Sequence, residues 1–174
     1  MAMNAEEAMK ILKTAIEIEE NGEATFMRLA KETQDANGKR MFERLAEDER
    51  EHKRILMEQM NAITKNGSWR SIHIPKTVVE KVAPTVREKQ SKTKGEAALG
   101  EIDALNTALD LERKASNYFR EKAGEMDHPE GKSLFIRLAE WEDAHFELIQ
   151  AELDSLRNTG LWFGIPEFRM DGTF

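Results

Sequence analysis

Apolar residues recur along this chain at the three- and four-residue spacing of an amphipathic helix in four long stretches, predicting helices over residues 4–33, 38–64, 97–126 and 130–158. The first stripe carries Leu12, Ala15, Ile16, Phe26, Leu29 and Ala30, and the second Met41, Phe42, Leu45, Ile55 and Leu56. Leu105, Ala108, Leu109, Ala115, Phe119 and Ala123 form the third, and Leu134, Phe135, Leu138, Leu148 and Ile149 the fourth. Asn37-Gly38 divides the first pair of helices and His128-Pro129 the second, with Pro129 suited to a first helical turn. The pattern predicts an all-α fold, a four-helix bundle made of hairpins 4–64 and 97–158 joined by a long connector, 65–96.

Each stripe is broken by charge at a core position. Glu19 stands where the first helix should place an apolar residue between Ile16 and Phe26, and Glu49 and His52 interrupt the second between Leu45 and Ile55. Glu112 lies between Ala108 and Phe119, and Glu142 and His145 lie between Leu138 and Leu148. The second set follows the first at a constant offset, because 112 − 19, 142 − 49 and 145 − 52 all equal 93. Neighbouring residues obey the same offset: Phe42, Arg44, Leu45, Ala46 and Glu47 recur as Phe135, Arg137, Leu138, Ala139 and Glu140. The two hairpins are therefore copies of one unit.

A single Glu-x-x-His on a charged helix arises readily by chance. Two at matched positions, each with an upstream Glu on an apolar stripe, are far more specific. Three residues apart, the Glu and His of each pair project from one helix face. An unpaired buried carboxylate costs several kcal/mol, and four facing one another repel and raise each other's pKa. Two divalent cations balance four carboxylates, which makes their burial tolerable. One Glu from each of two helices and Glu-x-x-His from each of two others is the ligand pattern of di-iron and di-manganese carboxylate bundles. The expected metal ligands are Glu19, Glu49, His52, Glu112, Glu142 and His145. Either Glu49 with Glu142 or Glu19 with Glu112 would bridge the two ions.

Other candidates read as structural. His73 falls in the connector and His128 in a turn, where exposure is the ordinary state, and Glu17, Glu20, Glu47, Asp110 and Glu140 point to other faces. Met27, Tyr118 and Trp141, near the ligands in sequence, are expected to pack rather than to react.

Composition narrows the chemistry. The chain has 174 residues, one domain's worth, with a formal net charge of −7, which argues against nucleic acid as a general partner. No apolar run approaches the roughly 18 residues needed to span a bilayer, and the basic, then apolar, start of a secretory signal is missing, so a cytoplasmic location is expected. With no cysteine, any metal must be held by carboxylate, imidazole or water. Iron and manganese suit such ligands, and zinc can occupy them. Residues 66–95 hold seven basic residues against Glu80 and Glu88, with a short helix expected over Val78 to Gln90. That connector is long enough to cross a bundle or to exchange hairpins between two chains. The tail, 159–174, holds Trp162, Phe163, Ile165, Phe168, Met170 and Phe174 and is expected to dock on the bundle or on a second subunit.

At Phe42-Glu43-Arg44-Leu45-Ala46-Glu47-Asp48-Glu49 with His52, and at its copy ending in Glu142 and His145, the chain resembles the rubrerythrin-like branch of the ferritin-like superfamily. The resemblance implies a ferritin-like bundle, two iron ions, often a homodimer, and an oxidative-stress role in reducing hydrogen peroxide or oxygen. Typical members carry a cysteine-rich, rubredoxin-like domain that this chain cannot contain, so an external electron donor, for instance a rubredoxin-like protein, is implied. They also carry an additional Glu one turn after the third-helix ligand, where this sequence has Ala115, matched by Gly22 in the first half. A symmetric centre of six ligands is the expectation, acting as a peroxidase or, alternatively, as a ferroxidase that handles iron.

Overall fold

The computed structural model describes residues 5–71 and 96–162, with side chains described over 5–71 and 100–162. Four helices account for most of them: α1 (Ala5–Glu32), α2 (Ala36–Asn66), α3 (Glu96–Glu125) and α4 (Pro129–Thr159). The predicted boundaries all hold to within two residues, but Asn37-Gly38 lies in the first turn of α2 rather than between the helices. Asp35 is the cause. Its extended backbone (φ −72°, ψ 134°) and its carboxylate, which accepts from the N–H groups of Asn37 at 2.7 Å and Gly38 at 3.2 Å, start the helix. His128 plays the same part for α4, its ring accepting from the Glu130 N–H at 3.3 Å, with Pro129 in the first turn. Both second helices end on a left-handed glycine, Gly67 (φ 68°) and Gly160 (φ 73°), whose N–H returns to Ile63 and Leu156.

The apolar stripes meet in two separate clusters. One gathers Leu12 and Ala15 of α1, Ile55 and Leu56 of α2, Phe119 of α3, and Leu134, Phe135 and Leu138 of α4. The other gathers Phe26, Leu29, Phe42, Leu45, Leu105, Ala108, Ile149 and Leu153. The first half of α1 thus shares one end of the bundle with the last half of α2, the last half of α3 and the first half of α4. It follows that α1 and α4 run one way, and α2 and α3 the other. Since α2 finishes at the end opposite to the start of α3, the described ends Ser71 and Glu96 lie about a bundle's length apart, roughly 45 Å for a 30-residue helix. This order of helix directions is that of ferritin-like bundles. The expected short helix over Val78 to Gln90 lies outside the described residues.

Two tryptophans tie the hairpins together. Trp162, just after α4, lies on Gly38 in the first turn of α2, where a Cβ would stand 2.7 Å from its ring. It meets Phe42 edge-on at 6.0 Å, and its Nε1 donates to Glu101 of α3 at 3.0 Å. Trp69, just after α2, lies on Gly131 in the first turn of α4, where a Cβ would stand 2.9 Å from its ring, and it stacks on His128 at 6.2 Å. Gly38 therefore serves close approach by an indole rather than a turn. His128 is a helix cap and a stacking partner, half-buried rather than simply exposed. Of the aromatic tail only Trp162 is described, and it packs on the bundle; residues 163–174 lie outside the described residues.

Candidate metal centre

Between the two apolar clusters every helix contributes charge at one level. Glu19 of α1, Glu49 and His52 of α2, Glu112 of α3, and Glu142 and His145 of α4 are all at most 2% exposed. Helical spacing sets the layer: in each helix the charged residues fall between the last member of one cluster and the first of the other, as Glu19 does between Ala15 and Phe26. The apolar ends exclude water from the layer and fix its depth.

The side chains converge. His52 Nδ1 lies 3.2 Å from Glu142, 3.5 Å from Glu19 and 3.9 Å from Glu49. His145 Nδ1 lies 3.2 Å from Glu49, 3.3 Å from Glu112 and 3.9 Å from Glu142. Two groups of donor atoms result, Glu19, Glu49, His52, Glu142 and Glu49, Glu112, Glu142, His145, each with its atoms within 4.8 Å of one another. Glu49 and Glu142 belong to both, and Glu19 and Glu112 to one each. The alternatives for the shared pair, left open by the sequence, are thereby separated. The imidazoles lie 5.6 Å apart in near-parallel planes.

The electrostatics are those of a cation site. Both oxygens of Glu19, Glu112 and Glu142, Oε1 of Glu49 and the Nδ1 atoms of both histidines are buried without a hydrogen-bond partner. Leaving a buried polar atom unsatisfied costs about 1–3 kcal/mol, and more when it is charged. Burial pushes the Glu19, Glu49 and Glu112 carboxyls well above their ordinary 4.5, and the neighbouring Glu142 carboxylate adds to the rise. Against the effect of burial, contacts from Glu112 and His52 hold Glu142 down at about 2. Both imidazoles are raised despite burial, His52 chiefly by Glu142 and His145 chiefly by Glu112. Acceptors in this excess, buried and short of donors, suit two divalent cations, which would replace protons as the balancing charge.

Several features around the layer escaped the sequence reading. Asp48 Oδ2 lies 3.2 Å from His145 Nε2, an imidazole–carboxylate contact across the hairpins. Trp141 lies flat on His52, centroids 4.6 Å apart and planes within 4°. Gly22 leaves room for a ligand, since a Cβ there would stand 3.0 Å from Glu49 Oε2. The offset of 93 was the available signal for the clasps, because it also relates Trp69 to Trp162, Gly38 to Gly131 and Gly67 to Gly160. It could not announce the Asp48 contact, since the residue matching Asp48 is Trp141.

The remaining candidates contribute no donor atom to the two groups. Trp141 is part of the apolar core, Met27 is packed against it, and the half-buried Tyr118 donates to the Ile11 carbonyl at 3.1 Å. Glu17, Glu20, Glu47 and Glu140 are exposed, and Asp110 pairs with Arg113 and Lys114 on the surface. His73 lies outside the described residues. Among the described residues no helix is long and apolar enough to cross a membrane.

A family model described as Rubrerythrin matches residues 10–153, a span containing all six buried ligand candidates. Among solved structures, a hypothetical protein from Pyrococcus furiosus has the same fold, with a TM-score of 0.64 at 22% identity over 90% of this chain and 98% of that one. No curated protein matches the chain.

Proposed function

The chain belongs to the rubrerythrin family, and on that premise we propose that it is a non-haem di-iron oxidoreductase that reduces hydrogen peroxide, or oxygen, with electrons from an external donor. The observation that carries this reading is the pair of overlapping donor groups that share Glu49 and Glu142. His52 with Glu19 would hold one ion and His145 with Glu112 the other, and Glu49 and Glu142 would be available to both. When bound, two adjacent iron ions supply one electron each and Lewis acidity toward both oxygens of a peroxide. Reduction of hydrogen peroxide to two waters takes two electrons and two protons. The surrounding residues prepare that chemistry. Phe119, Phe135 and Leu138 on one side, and Phe26, Phe42 and Ile149 on the other, keep the layer dry. Asp48 holds the His145 ring and Trp141 the His52 ring, so that both Nδ1 atoms face the carboxylates. These 174 residues hold no cysteine and so no thiolate-bound iron to feed the site, and a rubredoxin-like donor outside them is the natural chemistry.

The test is metal analysis of protein purified without oxygen, followed by stopped-flow mixing with peroxide and with oxygen. Two irons per chain, oxidised faster by peroxide than by oxygen, are expected. Two irons oxidised far faster by oxygen would turn the reading to ferroxidase activity, and no stoichiometric metal would remove it.

A further inference from the structure

The two halves differ at one position beside the metal layer. Asp48 and Trp141 are 93 residues apart, and each immediately precedes a shared glutamate, Glu49 or Glu142. Each also reaches the histidine of the other hairpin. Asp48, its side chain 32% exposed, offers a carboxylate to His145 Nε2 at 3.2 Å. Trp141 offers only the face of its ring to His52. An indole has a single N–H and no acceptor, so it cannot take the proton of an imidazole, and its own Nε1 is buried without a hydrogen-bond partner. The carboxylates around His52, among the described residues, all approach its Nδ1.

We propose that Asp48 and Trp141 make the two metal positions unequal, so that the position of His145, Glu112 and the shared glutamates fills first and the position of His52 and Glu19 second. The inference rests on the reading of this layer as a metal centre. A carboxylate that accepts the outer N–H of a ligand histidine fixes the tautomer, directs the inner lone pair at the ion and raises its basicity; loss of such a partner typically weakens metal binding about 10–100-fold. His145 has that partner. Stacking holds the plane of His52 but sets neither its tautomer nor its basicity. Six ligands in two matched sets thus carry an unmatched support, and Asp48 acts as a positioning residue for one ion.

The test is titration of metal-free protein with cobalt(II), following visible absorption and bound stoichiometry. Two steps at least about tenfold apart in affinity are expected. His145→Ala should leave only the weaker step and His52→Ala only the tighter one. Asp48→Ala, at a partly exposed side chain, should weaken the tighter step about 10–100-fold and leave the weaker within about twofold. Trp141→Asp, which offers His52 a carboxylate, should strengthen the weaker step. Should Trp141→Asp fail to fold, the Asp48→Ala titration still decides. Two ions bound with one affinity overturn the inequality alone, as does an Asp48→Ala protein whose two steps weaken alike or not at all. No cobalt bound by the unaltered protein overturns the metal centre and the inequality together.

Discussion

Hairpin α1–α2 and hairpin α3–α4 each place two glutamates and a histidine at the same level, yet brace them differently. Next to the layer Glu23 of α1 pairs with Arg50 and Lys53 of α2, each at 2.8 Å. The matching residues of the second hairpin are Ser116, Asp143 and Phe146; the first two are joined at 2.6 Å and bound by Arg120, so the charge at this crossing is inverted. Gly22 against Ala115 and Asp48 against Trp141 complete the contrast. Residues whose change would strand buried charge are the same in both copies, whereas those whose change costs little or redirects support have diverged. The clasps are also alike in both copies, Trp69 on Gly131 and Trp162 on Gly38, because each indole needs a glycine beneath it.

The comparison breaks most readily at the ligands themselves. Glu49→Ala and Glu142→Ala should each take bound metal from two ions per chain to below one, while Glu19→Ala and Glu112→Ala should retain about one, as metal analysis by mass spectrometry would read. Equal losses from all four would mean that no carboxylate is shared.

The clasps come next. Trp162→Ala should cost about 3–5 kcal/mol in urea unfolding, as buried aromatic truncations do, and Trp69→Ala, at a half-buried ring, should cost less. The glycines beneath them should discriminate. A methyl at Gly38 meets the indole and Thr33 Cγ2 at 2.7–2.8 Å, whereas at Gly131 one of its neighbours is the flexible Met126 Sδ at 3.2 Å. Gly38→Ala is therefore expected to lose about 1–3 kcal/mol through overpacking, less about 1 kcal/mol regained from helix propensity, and Gly131→Ala to lose less. A Gly131→Ala protein less stable than Gly38→Ala would contradict the packing account.

The charge layer predicts a pH dependence whose sign metal should remove. Glu19, Glu49 and Glu112 are raised above 4.5 by burial, and His52 and His145 are raised above 6.5 by their carboxylate neighbours. A group whose folded pKa exceeds its unfolded value contributes stability below the unfolded value and loses it as pH rises through the folded one. The metal-free protein should accordingly melt at lower temperature as pH climbs from the carboxyl range through neutrality. Glu142, held at about 2, has the opposite sign, and its contribution disappears only as pH falls toward that value. Metal-loaded protein should show a flatter profile over the same range, and melting curves at several pH values, with and without metal, would check it. The smallest effect belongs to the surface brace: Glu23→Ala should change stability by less than about 1 kcal/mol, because its Arg50 partner is largely exposed.

Much of this architecture was legible beforehand because burial writes itself into periodicity. Phe42, Leu45 and Leu56 mark the buried face of α2, and Glu49 and His52 stand out only because they interrupt it. The divider between α1 and α2 differs from the expectation, since Asn37-Gly38 carries the composition of a turn while Asp35 supplies the cap. Turn propensity is a local property, and the reason for a glycine at position 38 is an indole more than a hundred residues away.

By itself the sequence determined the helices, the duplication and the six buried donors, all of which follow from spacing along one chain direction. Tertiary structure decided everything that depends on one hairpin facing the other: which carboxylates are shared, which histidine meets Asp48, and where the tryptophans lie. An offset of 93 residues states that two positions are alike. Only the antiparallel packing of the copies brings a residue of one against its neighbour in the other, so that like positions acquire unlike partners.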